Sequence, residues 1–172
     1  MNWLIVVLRL LHIFAGVFWA GAIFTLARFV LPAVAATGPA GQQFMRQLTM
    51  VQGLAKTMTL AGVTAVLAGL WLMGIDSAWF QPSWMGSGMG VMLSIGGLSG
   101  IGAAVVGVRS GMKAARLGGL FKELDAAKGS PKPEVVAEVQ QIGAKLAAGV
   151  RAVAIMLTIT VICMAVARYV VF

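Results

Sequence analysis

The amino-acid sequence predicts an all-α integral membrane protein, a bundle of four transmembrane helices with helical extensions on one side of the bilayer. Three observations support this prediction: the composition, four long apolar stretches and the uneven placement of basic residues. Of the 172 residues, 60% are hydrophobic and 10% are charged, and the mean hydropathy is +0.94. A soluble domain carries about 25% charged residues, so this chain lacks the side chains needed to cover a water-facing surface.

Four stretches are long and apolar enough to cross a bilayer, which takes about 20 residues. They cover approximately residues 3–31, 54–75, 87–108 and 149–172 and predict a single transmembrane domain over 1–172. The first stretch is longer than the apolar part of a cleaved signal peptide, about 7–15 residues, and it lacks the basic start that such a peptide has. We therefore interpret it as the first span.

The basic residues divide unevenly between the two sides that four spans define. Both termini and the 76–86 loop lie on one side, near Arg9 and Arg168. The other eleven basic residues belong to the opposite side, namely Arg28, Arg46, Lys56, Arg109, Lys113, Arg116, Lys122, Lys128, Lys132, Lys145 and Arg151. Because basic residues mark the cytoplasmic side, we expect both termini to face outwards. Aromatic residues typical of a membrane interface gather at the predicted outer level, namely Trp3, Trp71, Trp79, Phe80, Trp84 and Tyr169.

The connections on the basic side are predicted to be helical, as a cytoplasmic segment over 109–148 and a second one over 32–53. In 109–128, apolar residues recur at the spacing of an amphipathic helix at the membrane surface, namely Leu117, Leu120, Phe121 and Leu124. The pattern restarts after Pro133 and runs into the fourth span. A helix from 134 to 172 would be about 58 Å long at 1.5 Å per residue. In the 32–53 segment, Pro39 and Gly41 are expected to begin a further helix.

Small residues are predicted to pack the bundle, because lipid gives apolar helices no hydrophobic drive to associate. Nine of the 22 glycines lie between residues 86 and 111. They include the GxxxG pairs Gly86/Gly90, Gly96/Gly100 and Gly107/Gly111, and similar stripes are Ala61/Ala65/Gly69 and Gly16/Ala20. Tight helix packing is the simpler interpretation, although small residues also leave room for a flat cofactor ring.

The candidate functional residues lie on one face of the first helix. His12 is the only histidine; it follows Arg9 by three residues and precedes Trp19, which lies deep in the span, by seven. Imidazole is a common axial ligand of haem, and protein groups around a cofactor tune and position it. We therefore hypothesise a b-type haem near the outer leaflet, with the metal bound by His12 and with Arg9 and Arg168 at its propionates.

A second ligand cannot be histidine, so methionines at comparable depth are the candidates. Met164 on the fourth helix is followed by Arg168 four residues later, which mirrors the Arg9/His12 pair, and Met92 lies on the third helix. The competing interpretation is that His12 hydrogen-bonds a neighbouring helix while both arginines extend to the headgroups. Copper is the rival cofactor, because the 11 methionines and Cys163 are soft ligands, but Met58, Met73, Met112 and Met156 are scattered in depth.

A histidine, a tryptophan and an arginine follow one another at intervals of seven and nine residues, as His12, Trp19 and Arg28. Between Leu11 and Val30 this helix resembles the first helix of the membrane protoporphyrinogen oxidase family. It also resembles that of the copper-resistance D family and its small relatives, which share a histidine-tryptophan-glycine helix in a compact membrane bundle. The resemblance implies this fold, a haem or metal ligand at His12 and a polar anchor at Arg28. Because the later helices lack the lysine and histidine of the oxidase family, it does not imply the oxidase activity.

The leading functional hypothesis is a small membrane protein of the copper-resistance-D-like type that binds haem and serves electron transfer. The alternative is a non-catalytic accessory subunit that packs against a larger respiratory or photosynthetic complex, or against a second copy, through the glycine-rich third helix. The spans contain neither a nucleophile–base pair nor two carboxylates, which argues against an enzyme. We expect a multi-pass protein of the bacterial inner membrane in contact with lipids, and no nucleic-acid partner.

Overall fold

A computed structural model of the protein describes residues 2–126 and 132–172. Within these residues all regular structure is helical, which confirms the predicted all-α class. The helices are α1 (Trp3–Thr25), α2 (Leu31–Thr37), α3 (Pro39–Arg46), α4 (Leu54–Asp76), α5 (Pro82–Met85), α6 (Gly88–Ala126) and α7 (Pro133–Val166). Four helical runs are long and apolar enough to span a membrane, namely Trp3–Thr37, Leu54–Asp76, Gly88–Leu124 and Pro133–Tyr169.

The first span runs on into α2 instead of stopping near residue 31. A π-helical turn, Leu26–Val30, joins the two helices directly before Pro32. Proline cannot donate to the carbonyl four residues back, and such turns accommodate the disruption. The run ends at Gly38, whose φ of +56° suits glycine. The next helix begins at Pro39, as the sequence predicted.

The third and fourth spans are much longer than a bilayer is thick. α6 has 39 residues and α7 has 34, so they are about 58 and 51 Å long at 1.5 Å per residue, against a hydrocarbon core of about 30 Å. Their excess length lies at the same end of the bundle as α2 and α3. We call α2, α3, residues 109–126 of α6 and residues 133–148 of α7 the helical extension.

The amphipathic segment predicted over 109–128 is helical as far as Ala126, and its last two residues lie outside the described part. It continues α6 directly, because no proline or turn separates residues 108 and 109. Its apolar stripe faces the inside of the extension, where Leu120 is only 1% exposed. At the other terminus, α7 ends at Val166 and a 3-10 turn, Ala167–Tyr169, follows, so the helix does not reach residue 172 as predicted.

The four spans pack in the order α1, α4, α6, α7, with only slight contact between α7 and α1. A buried cluster at mid-height contains residues from every span, among them Trp19, Ala65, Ala103 and Val153. Large apolar side chains on the outside of every span are exposed, including Phe14, Leu67, Leu98 and Ile155. An apolar exterior of this kind suits a lipid environment.

Of the three GxxxG pairs singled out in the sequence, Gly96/Gly100 allows close contact between α6 and α7, whereas Gly107 has open space where a Cβ would stand. A Cβ at Gly96 would lie 3.0 Å from Cβ of Cys163, and one at Gly100 would lie 3.5 Å from the Thr160 side chain. Two hydrogen bonds join the same helices: Thr160 Oγ1 donates to the Gly96 carbonyl at 3.1 Å, and Ser99 Oγ donates to the Met156 carbonyl at 2.8 Å. The third span is therefore fixed to the fourth by small residues and hydroxyl groups.

The two ends of the bundle differ in composition. One end carries both termini and the connection after α4, with Trp3, Trp71, Trp79, Trp84 and Tyr169; we call it the aromatic end. The other carries the helical extension and most basic residues, and we call it the basic end. At the aromatic end Trp71 and Trp79 meet edge to face, with ring centroids 6.0 Å apart.

Candidate functional site

His12 lies on α1 and contacts α4. Its Nδ1 is 2.7 Å from the carbonyl oxygen of Ala65. A carbonyl only accepts hydrogen bonds, so Nδ1 carries the proton and donates it. In the neutral imidazole Nε2 then holds a lone pair, and it is the atom that remains able to bind a metal or accept a proton.

The ring of His12 reaches this carbonyl because Gly69 has no side chain. A Cβ at Gly69 would lie 2.7 Å from Cε1 and 2.9 Å from Nδ1 of the imidazole, closer than packed atoms approach. Sequence reasoning placed Gly69 in a packing stripe and missed this role. The available signal was a glycine at the end of an Ala-Ala-Gly repeat on the helix that follows the only histidine.

Trp19 repeats this arrangement seven residues further along α1. It is buried, and a Cβ at Gly62 would lie 3.0 Å from its indole ring. The pairs His12/Gly69 and Trp19/Gly62 are thus separated by seven residues on both helices, in opposite directions, which sets the antiparallel register of α1 and α4. Trp19 is deep in the bundle, as predicted, where it belongs to the central hydrophobic cluster.

The two arginines of the predicted site lie at the aromatic end, and both are exposed. The guanidinium of Arg168 is 5.2 Å from the ring centroid of Tyr169, a cation–π contact. Arg9 precedes His12 by three residues and so lies nearly one turn further towards the aromatic end. Both positions suit either contact with headgroups or neutralisation of a ligand's acidic groups at that level.

The two methionine candidates are half-buried and lie on α6 and α7, whereas His12 on α1 contacts α4. Met164 packs on α6, with its Cε 3.6 Å from the position of a Cβ on Gly96. His12 contacts α4, so the structure places the two predicted ligands on different helix pairs. The buried Cys163 also packs against Gly96. Among the described residues, no three His, Cys, Asp or Glu side chains form a group that could hold a metal ion.

A cavity of about 640 Å³ occupies the basic end of the bundle. It extends from Trp19 and Gly62 in the middle of the spans to Phe121 and Leu124 in the helical extension. Its lining is mostly apolar, and the polar side chains include Gln42, Thr49, Gln140, Arg46 and Arg151. Sequence reasoning missed this cavity, although apolar stripes on three extension segments were the available signal.

The fold and these contacts define a multi-pass α-helical membrane protein with one imidazole held inside the bundle. Comparison with known protein families, curated proteins and solved structures finds no match to the chain.

Proposed function

We propose that the chain is a small membrane haem protein of the copper-resistance-D-like type, with His12 as an axial ligand of a b-type haem that serves electron transfer. The observation that supports this is the hydrogen bond from Nδ1 of His12 to the Ala65 carbonyl. Metal-binding histidines almost always donate their other ring N–H to a carbonyl or carboxylate, which orients the ring and raises its basicity. In His12 this leaves the lone pair of Nε2 free to bind the metal.

The surrounding residues suit such a group in chemical type. The neighbours of His12 along α1, such as Leu8, Leu11 and Ala15, are apolar, which favours a hydrophobic macrocycle, and Arg9 and Arg168 offer positive charge at the aromatic end. A bound haem would supply one-electron chemistry. The chain would hold the iron at His12 and neutralise the propionates with Arg9 and Arg168. Met164 is the candidate for a second ligand by the chemistry of its thioether.

The proposed location is a bacterial inner membrane, with both termini in the periplasm. The support is the distribution of basic residues, eleven at one side against two at the other. In this orientation His12 would lie in the outer half of the bilayer, where a periplasmic electron donor or acceptor could approach.

The alternative, an accessory subunit that packs through α6, has less support. Gly96 and Gly100, the pair at the centre of its glycine-rich stretch, already pack on α7. Gly97 has open space where a Cβ would stand and does not line the cavity, so contact with a partner helix would have to use its side of α6.

The test is a haemin titration of the purified protein, followed by absorbance in the Soret region. We expect a saturable Soret band with one haem per chain, which the His12→Gln variant loses and Met164→Leu shifts. Gly97→Ala, a change into open space on α6, serves as the matched control and should leave the band unchanged. A band that is absent, or undiminished in His12→Gln, contradicts the proposal.

A further inference from the structure

One face of α6 changes from apolar to cationic as the helix enters the helical extension. Leu98 and Val105, seven residues apart, are 70% and 46% exposed. Arg109 and Lys113 follow Val105 at steps of four residues, so they continue the same face, and both are exposed. We propose that this face binds an anionic phospholipid of the leaflet at the basic end, with the phosphate at Arg109 and Lys113 and the acyl chains along the apolar part. The surface is separate from His12 and from the cavity, so the proposal does not depend on haem binding.

The depth of the two cations matches the level of lipid headgroups. α6 begins at Gly88, at the aromatic end of the bundle. Arg109 is 21 residues further on, which is about 32 Å at 1.5 Å per residue, and the hydrocarbon core of a bilayer is about 30 Å thick. Lys113 lies one turn beyond, and its long side chain can extend back towards a headgroup.

The protein itself does not neutralise these two cations. Arg116, the next basic residue of this face, binds Glu138 through two hydrogen bonds of 3.0 and 3.2 Å. Within residues 2–126 and 132–172, neither Arg109 nor Lys113 has a carboxylate partner. Both charges therefore stay available to a phosphate, which the planar fork of an arginine can bind through two hydrogen bonds.

The other spans do not repeat this arrangement. Arg28 and Lys56 each stand alone on their span at this end of the bundle, and Lys145 and Arg151 of α7 are six residues apart and so lie on different faces. A basic residue near an anionic membrane surface strengthens binding about fivefold. Two neighbouring cations below an apolar face should therefore make α6 the preferred position of an anionic lipid.

The test measures which phospholipid contacts this face. A bimane fluorophore is attached to Val105→Cys in a Cys163→Ala background, and the protein is placed in phosphatidylcholine vesicles. A small fraction of the lipid carries a nitroxide on its acyl chain, which quenches bimane on contact, and is either phosphatidylglycerol or phosphatidylcholine. We expect the phosphatidylglycerol to quench about fivefold more effectively or better. Bimane at Leu67→Cys, an exposed position on α4, should be quenched about equally by the two lipids.

Variants show whether the two cations cause the preference. Arg109→Gln combined with Lys113→Gln should make the two lipids nearly equal quenchers at Val105→Cys. Arg109→Lys alone should keep most of the preference, because the charge remains. Lys122→Gln is the matched control, since it removes a positive charge from the same helix deeper in the helical extension, and it should leave the preference unchanged. High salt should weaken the preference.

Three results would overturn the proposal. One is equal quenching by the two lipids at Val105→Cys while Arg109 and Lys113 are present, which would mean that these cations serve another partner, such as an acidic protein surface. Another is an unchanged preference in the folded double variant. The third is the same preference at Leu67→Cys, which would mean that anionic lipid gathers around the whole bundle and not at this face.

Discussion

In the aromatic half of the bundle, a glycine on α4 makes room for the one imidazole of the chain. His12 donates to the Ala65 carbonyl across the α1–α4 contact, and Gly69 provides the space for its ring. A polar group inside a bilayer needs a partner, because the lipid offers none. The hydrogen bond therefore fixes both the position and the tautomer of the imidazole.

Replacing Gly69 with alanine should disturb this placement. The new Cβ would stand 2.7 Å from Cε1 of His12, so the ring or the two helices must move. We expect a loss of about 1–3 kcal/mol in the free energy of unfolding, the usual cost of overpacking, measured by thermal or denaturant unfolding in detergent. Gly97→Ala is the control and should be neutral or slightly stabilising; equal behaviour of the two variants would show that His12 does not occupy this position.

The sequence predicted which residues of α1 belong to this site, but not which residues of α4 they contact. The single histidine, the deep tryptophan and the small residues on α4 were all visible as types at helical spacing. Their pairing as His12/Gly69 and Trp19/Gly62 was not, because it depends on the register between two helices. Register is set by tertiary packing, which local spacing does not contain.

At the scale of elements, hydroxyl groups and glycines join α6 to α7. Ser99 donates to the Met156 carbonyl of α7, and Thr160 donates to the Gly96 carbonyl of α6. The Thr160 hydroxyl also lies 3.0 Å from the Met156 carbonyl of its own helix, so its one proton is shared between two acceptors. Because they share this acceptor, the two side chains belong to one small network.

Thr160→Val should remove the interhelical bond to Gly96 while keeping the shape of the side chain. We expect a cost of about 0.6 kcal/mol, and at most about 1.7, the range measured for such bonds in membranes. Thr158→Val is a matched control on α7, since Thr158 donates only within its own helix, to the Ala154 carbonyl at 2.9 Å. A larger loss in Thr158→Val than in Thr160→Val, measured by unfolding in detergent, would contradict this role.

The helical extension is held by a different kind of contact. Arg116 and Glu138 form a bidentate ion pair between α6 and α7, with nitrogen to oxygen distances of 3.0 and 3.2 Å. Both side chains are exposed to a substantial degree, so salt should screen the pair.

Hydrogen exchange should therefore reveal the ion pair even though global stability does not depend on it. In low salt, Glu138→Gln should speed amide exchange near Arg116 and near residue 138, while high salt should reduce the difference between this variant and the wild type. Glu134→Gln, in the first turn of α7, is the control. Exchange in Glu138→Gln that matches the wild type at low salt would show that the pair does not form.

The sequence pattern predicted the spans but not all of the helix boundaries. The four spans were predictable because an uninterrupted run of about 20 apolar residues is typical of a transmembrane helix and rare elsewhere. The π turn before Pro32 and the continuation of α6 to Ala126 were not predicted, since a surface helix and a straight extension share one amphipathic pattern. A surface helix would bury its apolar stripe in lipid, and a straight extension would bury it in protein. In this structure the stripe faces the interior of the helical extension.

At the scale of the whole molecule, charge and aromatic residues distinguish the two ends. The uneven basic residues predict that the extension lies in the cytoplasm and the aromatic end outside. The cavity at the basic end was not predictable, because it forms where three separate segments meet. The sequence of each segment contains no information on how the three are placed relative to one another.

Cysteine labelling should establish this orientation. In a Cys163→Ala background, Gln81→Cys lies in the exposed connection at the aromatic end and Gln52→Cys in the exposed connection at the basic end. An impermeant maleimide applied to intact cells should label Gln81→Cys and should reach Gln52→Cys only after the membrane is opened. The reverse pattern would contradict the proposed topology.

Binding of iron by Nε2 of His12, as proposed above, can be measured directly because the chain has a single histidine. Protein labelled with ¹⁵N only at histidine carries the label at one residue, so any ¹⁵N hyperfine coupling to a ferric haem must come from His12. Electron–nuclear double resonance of the haem-loaded protein should show the coupling of an axial imidazole nitrogen. A bound ferric haem without ¹⁵N coupling, or a purified protein that takes up no haem, would contradict the claim.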